Sequence, residues 1–114
     1  MRKTLDFNSI ERPVLEITMK DDGHTKISLV TPTEALIERL QANASAITET
    51  TKQGTAESIK TVFTLMADFI NCNLENITVT AEELRDKYRM RLEDAVVFFS
   101  VYMDFIEEIK TAKN

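Results

Sequence analysis

The hydrophobic pattern of this sequence changes its period once, near residue 31, and this change constrains the fold more than any other feature. Before it, apolar and polar residues alternate over residues 14–20 and again over residues 25–30. Such alternation is typical of strands with one buried face. Asp22-Gly23 lies between the two runs and is a strong hairpin signal, because glycine accepts a positive φ. We therefore predict a β-hairpin with one apolar face, formed by Leu15, Ile17, Met19, Ile27 and Leu29.

After residue 31, apolar residues recur at spacings of three and four, which is typical of amphipathic helices. Thr31-Pro32-Thr33-Glu34 resembles a capping box with proline at the first helical position, so the first helix is predicted over residues 32–47. A second helix is predicted over residues 56–74. A short third helix follows a second capping box, Thr80-Ala81-Glu82-Glu83. The polar residues 48–55 are expected to form a mobile connection.

The last helix, predicted over residues 92–112, has the broadest apolar arc. At about 100° per residue, its apolar side chains fill half of the circumference or more. A helix that faces one core needs a stripe of only about 100°. The rings of this arc could all be buried against the second helix and the hairpin, or one flank could meet a partner. The excess of apolar surface favours the second interpretation.

These elements predict an α+β fold, in which an N-terminal β-hairpin is followed by a mainly α-helical bundle of about four helices. The 114 residues form one domain, residues 1–114, with a hairpin region at 1–30 and a helical region at 31–114. Pro13 suits the start of an edge strand. Leu5 and Phe7 also alternate and could add a third strand, although Asn8-Ser9 argues for a break.

Composition argues against most kinds of catalysis and ligand chemistry. A net charge of −5 does not favour binding to nucleic-acid phosphates, and a single histidine and two glycines do not favour metal centres or phosphate-binding loops. Asp21, Asp22 and His24 lie together in the predicted turn, where a solvated turn is the better interpretation than a cation site. Cys72 has no histidine after it in the chain, so packing is a better interpretation than nucleophilic catalysis. We expect no cofactor, no metal and no enzymatic activity.

The compartment is also predicted from the sequence. The first residues lack the apolar run of a secretory signal. The longest apolar run, residues 95–99, is five residues long, against the roughly 18 or more of a membrane span. We therefore expect a cytoplasmic protein that does not enter a membrane.

Three segments near the two ends of the chain form a recognisable set: Leu5-Asp6-Phe7 with Val14-Leu15-Glu16-Ile17, then Thr31-Pro32-Thr33-Glu34-Ala35-Leu36, and the final stretch from Glu93-Asp94-Ala95 to Glu107-Glu108-Ile109. In these segments the chain resembles the tail assembly chaperones of long-tailed, siphovirus-type bacteriophages of Gram-positive hosts. Size, acidity and the order of elements are also similar. No chemical motif carries the resemblance, and residues 42–54 do not take part in it.

The resemblance implies a non-enzymatic role. Such chaperones coat the helical tape measure protein, keep it soluble, and release it as tail tube protein polymerises around it. On this interpretation the last helix binds the client, or another copy of the chain in a homo-oligomer. We therefore predict a set of contact residues on this helix, namely Phe98, Phe99, Tyr102, Phe105 and Ile106.

Two other functions stay open at this stage. A basic cluster, Arg85, Lys87, Arg89 and Arg91, could serve a small helical regulatory or DNA-binding module. Asp86 interrupts this cluster, and an acidic helix face follows it. The preferred interpretation is therefore a basic patch that interacts with acidic faces of the same protein or of its other copies. The chain could also be a structural domain that associates with itself and has no client.

Overall fold

The computed structural model describes residues 3–5 and 13–112, and it contains a two-stranded antiparallel hairpin followed by four helices. The strands are β1 (Leu15–Thr18) and β2 (Lys26–Leu29), and the helices are α1 (Glu34–Gln53), α2 (Ala56–Ile70), α3 (Ala81–Asp86) and α4 (Leu92–Ala112). The predicted α+β class, with a hairpin before a helical bundle, is confirmed.

The hairpin has the predicted apolar face. Leu15 pairs with Leu29 and Ile17 with Ile27, so the apolar side chains share one face. Asp21 closes the turn by accepting hydrogen bonds from the backbone N–H and the hydroxyl of Thr25. The left-handed residue of the turn is His24, with φ at 48°, and Gly23 does not have a positive φ, contrary to the reason given for the turn signal.

The second strand is also bonded on its other side, to the chain that follows α2. The Val30 N–H donates to the Cys72 carbonyl, and the Leu74 N–H donates to the Ser28 carbonyl, both at 3.0 Å. Leu29 forms an antiparallel bridge with Asn73. The hairpin is therefore fastened to the end of α2, which supplies the support that an isolated hairpin lacks in water. Leu5 is exposed and lies outside any strand. Phe7, the other residue of the suggested third strand, lies outside the described residues.

The first helix differs from its prediction at both ends. Its N-cap is Thr33, whose hydroxyl accepts from the Leu36 N–H, so Thr31 is not the cap and Pro32 precedes the helix. It continues to Gln53, so the mobile connection predicted at residues 48–55 is wrong. The hydroxyls of Thr48 and Thr50 donate to the carbonyls four residues earlier, which lets these threonines lie inside a helix. Composition indicated a loop, but burial of Thr50 favours the helix.

Only Gly54 and Thr55 separate α1 from α2. A Cβ atom on Gly54 would lie 2.8 Å from the Thr50 carbonyl oxygen and 3.1 Å from Cγ1 of Ile59. Glycine is therefore required here by the close contact with the last turn of α1 and with Ile59 of α2 rather than by a positive φ. Thr55 and Ser58 then form a capping box at the start of α2.

The second helix is the centre of the fold, and it packs against α1, α3, α4 and β2. It ends at Ile70, four residues before the predicted end, because asparagine side chains bond the chain that follows. Asn71 accepts from the Val79 N–H and donates to the Val79 carbonyl, at 2.7 and 3.0 Å. Asn73 makes the same pair of bonds with Ile77. These bonds hold the irregular segment between α2 and α3 in place.

The predicted capping box of the third helix is confirmed, since Thr80 and Glu83 bond each other's backbone N–H groups. Helix α4 has the predicted bounds. At its start, the carboxylate of Asp94 accepts from the Arg91 N–H at 2.8 Å and forms an ion pair with Lys20 at 3.2 Å. This ion pair connects the hairpin turn to α4.

Candidate partner-binding surface

The five predicted contact residues of α4 lie inside the core of the monomer. None is more than 8% exposed, and Tyr102 is completely buried. The Tyr102 ring lies 4.6 Å from the Phe69 ring, 5.4 Å from the Phe98 ring and 5.8 Å from the Phe105 ring, measured between centroids. The expectation that these side chains form an exposed surface is not met: the buried residues are Phe98, Phe99, Tyr102, Phe105 and Ile106. Their contact with a partner stays a prediction.

The physical reason is the arrangement of the neighbours of α4. The width of an apolar arc can be read from a helical wheel, but the number of elements that cover it cannot. The arc of rings faces α2 directly, and α1 covers an adjoining part of it. Aromatic side chains supply the most buried area per residue, so they occupy the centre of this contact.

Four large apolar side chains of α4 stay exposed, and they lie on two different flanks of the buried arc. Val97 and Val101 lie on one flank and are 63% and 45% exposed. Val96 and Met103 lie on the other flank and are 40% and 38% exposed. The expected surplus of apolar surface is therefore present, but aliphatic side chains carry it instead of the rings.

The flank with Val97 and Val101 borders an apolar groove between the hairpin and α4, which we call the hairpin–α4 groove. It has a volume of about 270 Å³. The hairpin contributes Leu15, Ile17 and Met19 to its walls, and α4 contributes Val97, Phe98 and Val101. Two methionines, Met66 of α2 and Met90 of the α3–α4 connection, complete it. Methionine is flexible and polarisable, so a wall containing it can adapt to different apolar side chains.

The opposite flank borders a second groove, between α1 and α4. Its volume is about 340 Å³, and its apolar lining includes Ile37, Leu40, Met103 and Ile106. Gln41 and Glu107 also line it. The two grooves are similarly apolar in residue type, but the flank of the hairpin–α4 groove has the more exposed apolar side chains.

Charges are distributed unevenly around the hairpin–α4 groove. The ion pair of Lys20 and Asp94 lies at the end nearest the start of α4. The Arg91 N–H bond lowers the pKa of Asp94, with a smaller contribution from Lys20, so this carboxylate is ionised at neutral pH. The exposed carboxylates that lie nearest to the two valines around the circumference of α4 are those of Glu93, Asp104 and Glu108.

The other sequence-predicted candidates occupy ordinary structural positions. Asp21 is engaged by Thr25 within the hairpin turn, and the part of the chain that the structure describes contains no group of three or more potential metal ligands. The Cys72 thiol is partly buried and contacts the Asp68 carbonyl at 3.7 Å. Burial raises the pKa of Cys72, and the Asp68 carboxylate raises it further, which keeps the thiol protonated at neutral pH.

The basic cluster is exposed on α3 and the connection to α4. The Arg85 guanidinium lies 5.7 Å from the centre of the Phe63 ring, and the Lys87 ammonium lies 5.2 Å from the Tyr88 ring. Helix α3 has only six residues, which is short for a helix that reads a DNA groove. DNA binding by this cluster stays a prediction.

One buried polar atom has no partner. The Tyr102 hydroxyl makes no hydrogen bond to any described residue. Burial raises the pKa of Tyr102 far above its usual range, and a smaller contribution comes from Cys72. Buried hydroxyls without partners are uncommon, so this atom is a local cost within the aromatic core.

No family model, curated protein or solved structure shows significant similarity to this chain. Among residues 3–5 and 13–112, no helix is long and apolar enough to cross a bilayer. Four residues of the hairpin–α4 groove and its flank were not among the contact residues predicted from the sequence, namely Leu15, Ile17, Val97 and Val101. The signal for the two valines was their position at the outer edge of the apolar arc of α4, four residues apart.

Proposed function

We propose that this chain is a non-enzymatic binding protein that covers an apolar helical segment of another protein. In its specific form, the proposal follows the resemblance described above: the chain is a tail assembly chaperone that keeps the tape measure protein soluble while tail tube protein assembles around it. We place this activity in the cytoplasm of the host cell. A homo-oligomer that presents several copies of the binding surface is compatible with the proposal.

One observation carries the proposal, namely the pair of exposed valines beside the hairpin–α4 groove. Val97 and Val101 are one helical turn apart, and they border apolar side chains of the hairpin. Isolated exposed apolar residues are ordinary, but a contiguous apolar surface of this kind is typical of an interaction site. An apolar groove with positions spaced by one turn suits a helix laid along it.

The binding surface proposed here differs from the one predicted from the sequence. The rings of α4 hold the monomer together, and the aliphatic flank beside them meets the client. This division lets the protein stay folded in both the free and the bound state, and it separates residues needed for stability from residues needed for binding.

The test is co-expression with a tape measure protein, followed by purification through a tag on the chain. The wild-type protein is expected to retain the client in the soluble fraction. With the double variant Val97→Asp/Val101→Asp, the amount of co-purified client should fall at least tenfold, because two charges would be buried against apolar side chains.

The matched control is Val96→Asp, which makes the same substitution on the opposite flank of the same helix. It should retain the client. If the wild-type protein fails to retain the client, the proposed function is wrong. If the double variant stays folded by circular dichroism and still retains the client, the groove is not the binding site.

A further inference from the structure

The charges beside the hairpin–α4 groove select one kind of occupant. On a helix with about 100° per residue, Glu108 projects between Val97 and Val101, and Asp104 and Glu93 project just beyond Val97. We call these three residues the acidic edge. All three are exposed, and within the described residues none of them forms an ion pair.

The part of α4 that borders the groove supplies no balancing charge. Residues 92–109 contain no lysine or arginine. Lys20, which lines the groove, already pairs with Asp94 at its end. A ligand that lies on Val97 and Val101 is therefore placed next to unpaired carboxylates, which attract cations and repel other carboxylates.

The form of the occupant follows from the lining of the groove. The walls are mainly apolar side chains, and the backbone groups of α4 on one side of the groove bond within the helix. An extended segment could pair with β1 on one side but would leave the groups of its other side unsatisfied against α4, whereas a helix satisfies its own backbone and presents only side chains.

We propose that the hairpin–α4 groove binds an amphipathic helix of a second protein whose apolar face is bordered by lysine or arginine side chains where it meets the acidic edge. This inference rests on the proposed binding function and adds to it the chemistry of the client segment. The apolar contact supplies most of the affinity, and the charges select among apolar helices and fix how the client helix is placed.

Two synthetic amphipathic peptides test the inference. Both are roughly 20 residues long, the length at which an isolated helix becomes stable in water, and both have the same leucine and alanine face. One has lysine along the border of that face, and the other has glutamate. Binding is measured by fluorescence anisotropy at low and at high salt.

The lysine-bordered peptide should bind at least tenfold more tightly than the glutamate-bordered one at low salt, and this ratio should shrink at high salt. The double variant Asp104→Lys/Glu108→Lys should reverse the preference. The control Glu38→Lys/Glu49→Lys makes the same change in net charge on exposed positions of α1, outside the groove, and should keep the wild-type preference. Val97→Asp/Val101→Asp should abolish binding of both peptides.

Three results would overturn the inference. The first is equal binding of the two peptides, or equal effects of the two charge-reversal variants, because the acidic edge would then select nothing. The second is that neither peptide binds. The third is that the protein alone sediments as a dimer that the valine double variant dissociates, because the occupant would then be a second copy.

Co-purification of the tape measure protein separates failure of this inference from failure of the proposed function. If the client is retained through the valines and the peptides are not distinguished, the function stands and the client chemistry is wrong. If the client is not retained by the wild-type protein, the function fails as well.

Discussion

Helices α2 and α4 both carry long apolar stripes, but the fold covers them to different extents. Helix α2 lies between α1, α3, α4 and β2, and the structure shows no large exposed apolar side chain on it. Helix α4 packs against α2 and α1, so its central rings are buried while valines on its flank stay exposed. The elements that surround a helix, more than its apolar content, therefore decide whether part of its apolar surface is left for binding.

The largest expected effect comes from the contact between the two helices. Phe69→Ala removes a completely buried ring that contacts the rings of Phe99 and Tyr102, and it should lower the free energy of unfolding by about 3–5 kcal/mol. Urea unfolding followed by circular dichroism measures this loss. Val101→Ala on the outer flank of α4 is the control. If the two variants lose similar stability, the flank of α4 contributes as much to the core as the contact between α2 and α4 does.

A smaller effect is expected where α1 closes over α2. Gly54→Ala places a Cβ atom 2.8 Å from the Thr50 carbonyl oxygen of α1 and 3.1 Å from Ile59 of α2, so it should cost about 1–3 kcal/mol as the turn between the helices shifts. Gly23→Ala is the matched control, since its nearest neighbour outside the adjacent residues is 4.0 Å away and its φ is not positive. Equal melting temperatures of the two variants would contradict the close approach of α1 and α2.

The buried hydroxyl of α4 should contribute little to stability at neutral pH. Tyr102→Phe removes an oxygen that has no partner among the described residues, so stability should stay unchanged or rise by up to about 1 kcal/mol. If Tyr102→Phe instead lowers the free energy of unfolding by more than about 1 kcal/mol, the hydroxyl has a hydrogen-bond partner, such as an ordered water.

The same residue should make stability sensitive to alkaline pH. Because burial raises the pKa of Tyr102, the folded state holds the phenol proton more tightly than the unfolded state. The stability of the protein is therefore insensitive to this ionisation below the unfolded pKa of about 10, and it falls by up to about 1.4 kcal/mol per pH unit above that value. Unfolding curves between pH 9 and 11 should therefore show a steeper loss for the wild-type protein than for Tyr102→Phe.

The smallest effect is expected on the outer flank of α4. Val97→Asp should change the free energy of unfolding by no more than about 0.5 kcal/mol, because its side chain is 63% exposed. This result, combined with loss of client binding, would show that stability and binding reside on different faces of α4. A large loss of stability would mean that the flank belongs to the core.

Periodicity and capping residues were sufficient to predict most of the fold. The alternation around Ile17 and Ile27 predicted the apolar face of the hairpin, and Thr80 with Glu83 predicted the start of α3. The errors came from side-chain hydrogen bonds that have no periodic signal. Thr50 continues a helix by bonding backward, whereas Asn71 ends one by bonding forward, and both are polar residues at a helix end.

The candidate surface was only partly predictable. The surplus of apolar side chains on α4 is a property of the sequence, and it was predicted. Which side chains are left over depends on how α1 and the hairpin are placed around α4, and this is set by tertiary contacts such as the bond between Lys20 and Asp94. The large rings of α4 were predicted to contact a partner, but their size also favours burial, and the core contains them.

The bonds from β2 to the chain after α2 also bear on the order of events during synthesis. The hairpin is translated before its support, since Val30 meets Cys72 and Lys20 meets Asp94 only after those later residues have left the ribosome. Contacts so distant in sequence form slowly, and a lone hairpin is marginal until they do. The nascent chain therefore passes through an interval in which its apolar strands are unprotected, and this interval ends only when α4, which supplies Asp94, is complete.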